Sequence, residues 1–267
     1  MELNIRPAGQ RGRFYPYSAG DIEKMFKKWN LIADENAMTF PHIIPEAMIC
    51  PHAGYVYSGF TAHTAHRLMP RKNPERILIV GPSHYVYIEG MSIGIFDAYE
   101  TPFGHIKVDR EGVKFLTERH SFTFSERAHY SEHSTETQFP FVKYYNPGTT
   151  IIELIYGNVH EDELAEVIRN YLQLPGSAVV ISTDLSHYYP QEQANRLDAY
   201  CLEAVRHRDL YLLDKACEAC GKTGISAILQ TAKSSKWQAE ITDYRTSGDV
   251  SGDFDAVVGY MSAVFFG

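Results

Sequence analysis

Three histidines in this chain each follow a short apolar run. "AMICPHAGY" places His52 just beyond such a run, "ILIVGPSHY" does so with His84, and "AVVISTDLSHYY" with His187. Imidazole is the most frequent metal-binding side chain and the most frequent general acid or base near neutral pH. A loop histidine bonded to a backbone carbonyl is the plain alternative for any one of them; the repeated context is what argues for a shared site. Two further segments carry groups of the same kind. "SEHSTETQFPF" offers Glu132, His133 and Glu136 around the start of a helix expected near Ser134. Carboxylates there suit the helix dipole, or His133 or a carboxylate faces the same crevice. In "STDLSHYY", Asp184 either holds an imidazole in one tautomer or caps the next helix.

The cysteines are Cys50, Cys201, Cys217 and Cys220. Four in 267 residues do not make a disulfide scaffold, and reduced thiols in a cytoplasmic protein are the expectation. Cys217 and Cys220 form a C-x-x-C with no second pair to complete a zinc ribbon. "CGKTG" lacks the upstream glycine of a phosphate loop and follows a helix-like stretch, not a strand. Cys220 and Gly221 fit a helix end leading into a new helix at about 223–233, where a thiolate could ligate a metal. The chain has no H-E-x-x-H, no G-x-S-x-G and no G-x-G-x-x-G, which removes support for a helix-borne zinc protease site, a hydrolase elbow and dinucleotide binding.

To bring such scattered residues together, the elements must share an edge. Strand-like runs at 46–50, 76–81, 92–96, 150–157 and 178–183 alternate with amphipathic stretches near 20–30, 58–69, 110–119, 134–145, 160–172 and 192–207. That alternation predicts βαβ units and a mainly parallel sheet. "KWQAEITDYRTSGD" and "FDAVVGYMSAVFF" read as strands without an intervening helix, so the sheet is expected to be mixed. No linker divides residues 1–267, and a single α/β domain flanked by helices is expected. In an open parallel sheet ligands bind at the carboxyl edge of the strands, which is where His52, His84 and His187 would then meet. With 33 acidic against 25 basic residues and no basic run, neither nucleic acid nor an anionic membrane surface is an expected partner. The first residues lack the apolar core of a signal peptide, and "VVGYMSAVFFG" is too short to span a bilayer as a helix.

"PHAGYVYSG", "GPSH", "EHSTETQFPF", "STDLSHY" and "CGKTGI" occur in the order and rough spacing of the Memo family, whose prokaryotic members are called AmmeMemoRadiSam system protein B. The chain resembles that family from about "RPAGQRGRFYP" to the last strand. One departure is Gly224 before Ile225, where the family usually has proline. The resemblance implies a LigB-like fold, similar to the class III extradiol dioxygenases, which bind non-haem Fe(II). By motif it implies His52 and His84 as metal ligands, Cys220 as the third ligand, and His187 as the acid/base group, with His133 and Asp184 around them. Fe(II) is the implied ion; the softer thiolate admits copper or zinc. The implied activity is that of a metal-dependent oxidoreductase working with a radical-SAM protein and a small companion protein. The other implied role is a non-catalytic peptide-binding or assembly module using the same cleft. Tyrosines beside the motifs (Tyr55, Tyr57, Tyr85, Tyr188, Tyr189) suit a small aromatic substrate or a tyrosine-containing peptide.

Overall fold

The computed structural model describes residues 3–267. In chain order its strands are β1 (Ile5–Arg6), β2 (Ala47–Cys50), β3 (Arg76–Pro82), β4 (Met91–Ile93), β5 (Ala98–Tyr99), β6 (Ile106–Lys107), β7 (Thr150–Tyr156), β8 (Ser177–Ser182), β9 (His187–Tyr189), β10 (Gln238–Thr246) and β11 (Val257–Phe266). Its α-helices are α1 (Ala19–Glu35), α2 (Tyr55–His66), α3 (Arg110–Thr117), α4 (Glu126–Ser131), α5 (Phe139–Tyr145), α6 (Glu161–Tyr171), α7 (Gln191–His207), α8 (Leu210–Ala216), α9 (Lys222–Ser234) and α10 (Gly248–Ser251).

The central runs are apolar at nearly every position because both faces are covered. Along the strands Ile49, Leu78, Val80, Ile152, Val179 and Ile181 point to one side, where α3, α6, α7, α8 and α9 supply Leu116, Leu164, Ile168, Ala204, Leu213 and Ile228. Met48, Cys50, Ile77, Ile79, Ile151 and Val180 point to the other side, against Phe26 and Trp29 of α1, Tyr55 and Phe60 of α2, and Phe141 of α5. The result is one α/β domain of three layers, helices on both faces of an eight-stranded sheet ordered β10-β11-β2-β8-β3-β7-β4, with β9 pairing β11 outside that path. Strands β2, β8, β3 and β7 are parallel. The flanks β4, β11 and β10 are antiparallel. The expected mixed, mainly parallel architecture is the one found.

Three details differ from the sequence expectation. The run at 92–96 is strand only as Met91–Ile93, and it lies antiparallel on the edge. The 134–145 helix is split into a 3-10 turn, Glu136–Gln138, followed by α5. Helix α2 is not amphipathic: every residue from Ser58 to His66 is buried, because β10 and β11 cover it as well as α1 and α5. A small sheet of β1, β5 and β6 and the short strand β9 were not foreseen, since two- and three-residue strands carry no readable period. Among the described residues, no helix is long and apolar enough to cross a membrane.

The expectation of four reduced thiols is corrected. Cys201 of α7 and Cys217, just after α8, form a disulfide across 16 positions, leaving Cys50 and Cys220 free. Helices α7 and α8 pack against each other through the apolar core, which brings two distant cysteines together where spacing gave no hint. A loop of that length stabilises a fold by about 3 kcal/mol through lost unfolded-state entropy. The paired variant C201S/C217S should therefore lose about 3 kcal/mol in urea denaturation without reductant. Thiol labelling of the unreduced, unfolded chain should find two reactive cysteines; finding four would remove the disulfide from this account.

Candidate metal centre

Strands β2, β8 and β3 are neighbours in that order, and they end level with one another, Cys50 opposite Ser182 and Val80 opposite Ile181. Pro51 and Pro82 stand where the ladders stop and no backbone donor is needed. Beyond them, His52 and His84 rise from β2 and β3 on either side of the end of β8. Their ring centroids are 5.1 Å apart. Cys220 reaches the same point from the turn before α9, its Sγ 3.3 Å from His52 Nε2. The backbone crowds tightly there: a Cβ on Gly221 would stand 2.6 Å from Thr183 Cβ, so only glycine lets the turn approach β8 this closely. Gly224, the departure from the family pattern, lets α9 close on Ile181 and Tyr156 and leaves the start of the helix at Lys222 unchanged.

The two imidazoles are held differently. His84 is partly exposed, and its Nδ1–H donates to Glu132 Oε1 at 2.8 Å while its backbone N–H donates to Oε2 at 2.7 Å. This leaves Nε2 facing the cleft. His52 is buried, with Nδ1 3.0 Å from Ser182 Oγ and its backbone N–H donating to Asp184 Oδ1 at 2.7 Å. Burial, and then the neighbouring imidazoles of His84 and His133, hold His52 well below the usual histidine range, so its ring is neutral at pH 7. Burial and then Asp184 push the Cys220 thiol up to about 12, so only a cation would make it a thiolate near neutral pH.

Ligand atoms of His52, His84 and Cys220 all lie within 4.8 Å of one another, and so do those of His84, Glu132 and His133. The first trio is the better donor set. Glu132 already accepts from four N–H groups, the backbone and Nδ1 of His84 and the backbones of His133 and Ser134. Two imidazoles and a sulfur are a donor set that first-row transition ions accept.

His133 enters the cleft, 4.6 Å from the His84 ring and 5.3 Å from the His52 ring, stacked on Phe14 at 4.4 Å. Its Nδ1 is 3.3 Å from Glu132 Oε1 but off the line a hydrogen bond needs. His129 and His133 stand in H-x₃-H spacing, yet α4 ends at Ser131 and the rings part. His129 turns inward to Glu153 at 2.8 Å and Ser92 at 3.0 Å. Glu136 also turns away, into an ion pair with Arg6 at 2.6 Å and a hydrogen bond from Tyr15 at 2.8 Å. Asp184 neither caps α7, which begins after Pro190, nor hydrogen-bonds His187. Its carboxylate accepts the backbone N–H groups of the His52 loop, and burial raises it. His187 sits in β9 opposite Val258, half-buried.

The sequence reading singled out Glu132 but missed it as the partner of His84, and it missed Ser182, Gln138 and Asp198 altogether. Nothing in the spacing of those three signals a role; only the fold brings them in. Of the tyrosines, Tyr55 is core, donating to Thr137 O at 2.7 Å, while Tyr57, Tyr85 and Tyr188 are exposed. Tyr57, Tyr188, Tyr260 and Val258 line a cavity of about 300 Å³ beside the strand of His187. A larger cavity of about 620 Å³ near Met91, Phe122 and His160 holds none of the candidate residues.

Residues 6–264 match the model of a family described as Memo-like protein. The chain is similar to a "MEMO1 family protein" of Archaeoglobus fulgidus, 34% identical over 95% of this chain and 97% of that one. A protein of the same description from Methanobrevibacter smithii is 34% identical over 98% and 99% of the two chains. One from Aquifex aeolicus is 30% identical over 98% and 100%. Among solved structures, an uncharacterized protein from Escherichia coli K12 superposes with a TM-score of 0.52 at 12% identity, covering 83% of this chain and 100% of that one. At that identity the likeness is one of fold.

Glu132 yields a pH test. Burial would raise its carboxyl, but the imidazoles of His133 and His84 outweigh that and hold it well below its ordinary 4.5. As acid is added, the unfolded chain therefore takes up the proton first. The contribution of Glu132 to stability is complete above about pH 4.5 and is lost as pH falls below it. In urea titrations, E132Q should be less stable than wild type at about pH 7, and the gap should narrow steadily toward about pH 3. A gap independent of pH would show that the carboxylate charge is not what holds His84.

Proposed function

This chain belongs to the Memo-like family, and from that premise we propose that it is a metal-dependent oxidoreductase whose cleft holds Fe(II), or copper or zinc in its place, between His52, His84 and Cys220. The observation that carries the reading is the convergence of these three ligand atoms within 4.8 Å at the carboxyl edge of the sheet. The donor chemistry fits: His84 presents Nε2 because Nδ1 is occupied, and Cys220 Sγ faces His52 Nε2. Bound there, iron or copper would supply Lewis acidity and one-electron redox chemistry, and zinc Lewis acidity alone.

The chain's own residues do the rest. Asp184 pins the His52 loop by accepting its backbone N–H, and Glu132 orients His84. His133, stacked on Phe14, stands over both rings. His187, on β9 opposite Val258, moves a proton at the rim. Tyr85 stands 5.5 Å from the His133 ring and 6.5 Å from that of His84, Tyr57 and Tyr188 line the cavity beside the strand of His187, and a small aromatic substrate is the class these exposed rings suit. The same exposed rings favour the second reading, a module that takes a tyrosine-containing peptide without turnover. A radical-SAM protein and a small companion are the proposed partners, from the resemblance to AmmeMemoRadiSam system protein B.

Metal analysis after anaerobic purification tests the centre. Wild type should carry about one iron per chain, and H52A, H84A and C220A should each lose it. C217A should keep it, because that sulfur belongs to the disulfide. Stoichiometric zinc would move the reading to hydrolysis, and no metal would favour the peptide module. H187Q separates proton carrier from ligand: metal content should stay unchanged while turnover of an aromatic substrate falls by roughly 10²–10⁴. Loss of metal in H187Q would make His187 a ligand and displace Cys220.

A further inference from the structure

The hydroxyl of Ser182, at the end of β8, is fully buried and has three polar neighbours. They are Ser134 O at 2.5 Å, Gln138 Nε2 at 3.0 Å and His52 Nδ1 at 3.0 Å. We propose that Ser182 is a positioning residue that locks His52 in the tautomer with its proton on Nδ1 and its lone pair on Nε2, toward Cys220; its use, though not its content, rests on the metal-centre reading above.

The argument is a count of protons. A serine hydroxyl has one to give and two lone pairs to offer. Ser134 O is a carbonyl and can only accept. Were the hydroxyl proton turned elsewhere, two oxygens would face each other at 2.5 Å with nothing between them. The proton of Ser182 is therefore committed to Ser134. Gln138 Nε2 can only donate, and the amide cannot be flipped. The same nitrogen also donates to Pro51 O at 3.0 Å, which a carbonyl oxygen in its place could not do. Gln138 Oε1 is in turn occupied by His66 Nε2 at 2.9 Å, and His66 is stacked on Phe141 at 4.8 Å. The remaining contact, to His52 Nδ1, is then one in which the imidazole must donate. His52, His66, Gln138, Ser134 and Ser182 are all buried, so no water competes for these bonds. A ring nitrogen that donates fixes the other as the acceptor or ligand, and here the other is Nε2, 3.3 Å from Cys220 Sγ. The two histidines thus present the same nitrogen by different means: His84 through the charged Glu132, His52 through a neutral hydroxyl whose direction is set by Ser134 and Gln138.

The test is the proton-coupled nitrogen spectrum of the histidine rings in ¹⁵N-labelled, chelator-treated protein near pH 7. Wild-type His52 should show a protonated Nδ1 and a bare Nε2. S182A should populate the other tautomer and lower Zn(II) affinity by about 10–100-fold. S182T, which keeps the hydroxyl, should restore both. A wild-type His52 protonated on Nε2 overturns the inference whether or not any variant folds, as does an S182A protein with unchanged tautomer and affinity. If wild type shows the expected tautomer, with S182A shifting it, yet binds no metal, Ser182 keeps its role and the metal-centre reading fails. If metal binds to a His52 of the wrong tautomer, the reverse holds.

Discussion

The placement of the cleft residues depends on one buried cation. Arg6, on the short strand β1, has no solvent contact. Its guanidinium pairs with Glu136 at 2.6 Å and lies 3.3 Å from Glu153 of β7. It also donates to the backbone carbonyls of His129 and, at 3.0 Å, Glu132. A charge in such a place is tolerable only when its partners surround it, and removing one partner of a buried pair typically costs about 3–5 kcal/mol. Segment 129–136 is therefore fastened to β7 from below. Ser134 Oγ adds a bond to Pro82 O at 2.8 Å and Thr135 Oγ1 one to Glu153 at 2.5 Å. With the backbone held from beneath, the side chains of Glu132 and His133 go up into the cleft while Glu136 goes down to the cation. One segment supplies both the anchor and the support of His84.

The electrostatics above that anchor are arranged around neutral donors. His52 is kept neutral by burial and by the imidazoles beside it, and Cys220 by burial beside a carboxylate. The formal negative charge nearest to His84 is Glu132, already saturated by four N–H donors. A cation entering the cleft meets lone pairs rather than a ring of carboxylates. That favours ions that prefer nitrogen and sulfur over those that prefer oxygen.

Much of this was legible from the sequence, and for identifiable reasons. The parallel centre of the sheet could be read because Ile77–Val80 and Val179–Ile181 are apolar on both faces. From that alone, the edge shared by His52 and His84 followed. Cys220 was read as a candidate thiolate ligand before a new helix, and as the third ligand through the family resemblance; it lies beside His52. What could not be read were the partners. Arg6, Glu132 and Gln138 lie far in sequence from the residues they hold, and a buried charge or amide looks in a string of letters like any surface one. The disulfide was hidden for the same reason: Cys217 sat in a C-x-x-C that drew attention to the wrong partner, while Cys201 lay inside an ordinary helix. Asp184 was read as holding an imidazole or capping the next helix, but the turn points its carboxylate back at the His52 backbone.

The interleaving of β8 between β2 and β3 has a further consequence. Strands in a sheet are about 4.8 Å apart, so the two histidines spring from supports roughly 9.6 Å apart. Their rings close that span to 5.1 Å by leaning over the end of β8, which must finish in short side chains, Ser182 and Thr183, to pass beneath them. The bite of the histidine pair is thus set first by the spacing of the backbone ladder on which their two short loops stand. The exposed rings of Tyr85, next to His84, and Tyr188, on β9, by contrast supply no donor atom themselves. The cleft has a floor of fixed dimensions and walls that can be rebuilt, so relatives could take different substrates over one unaltered set of ligands.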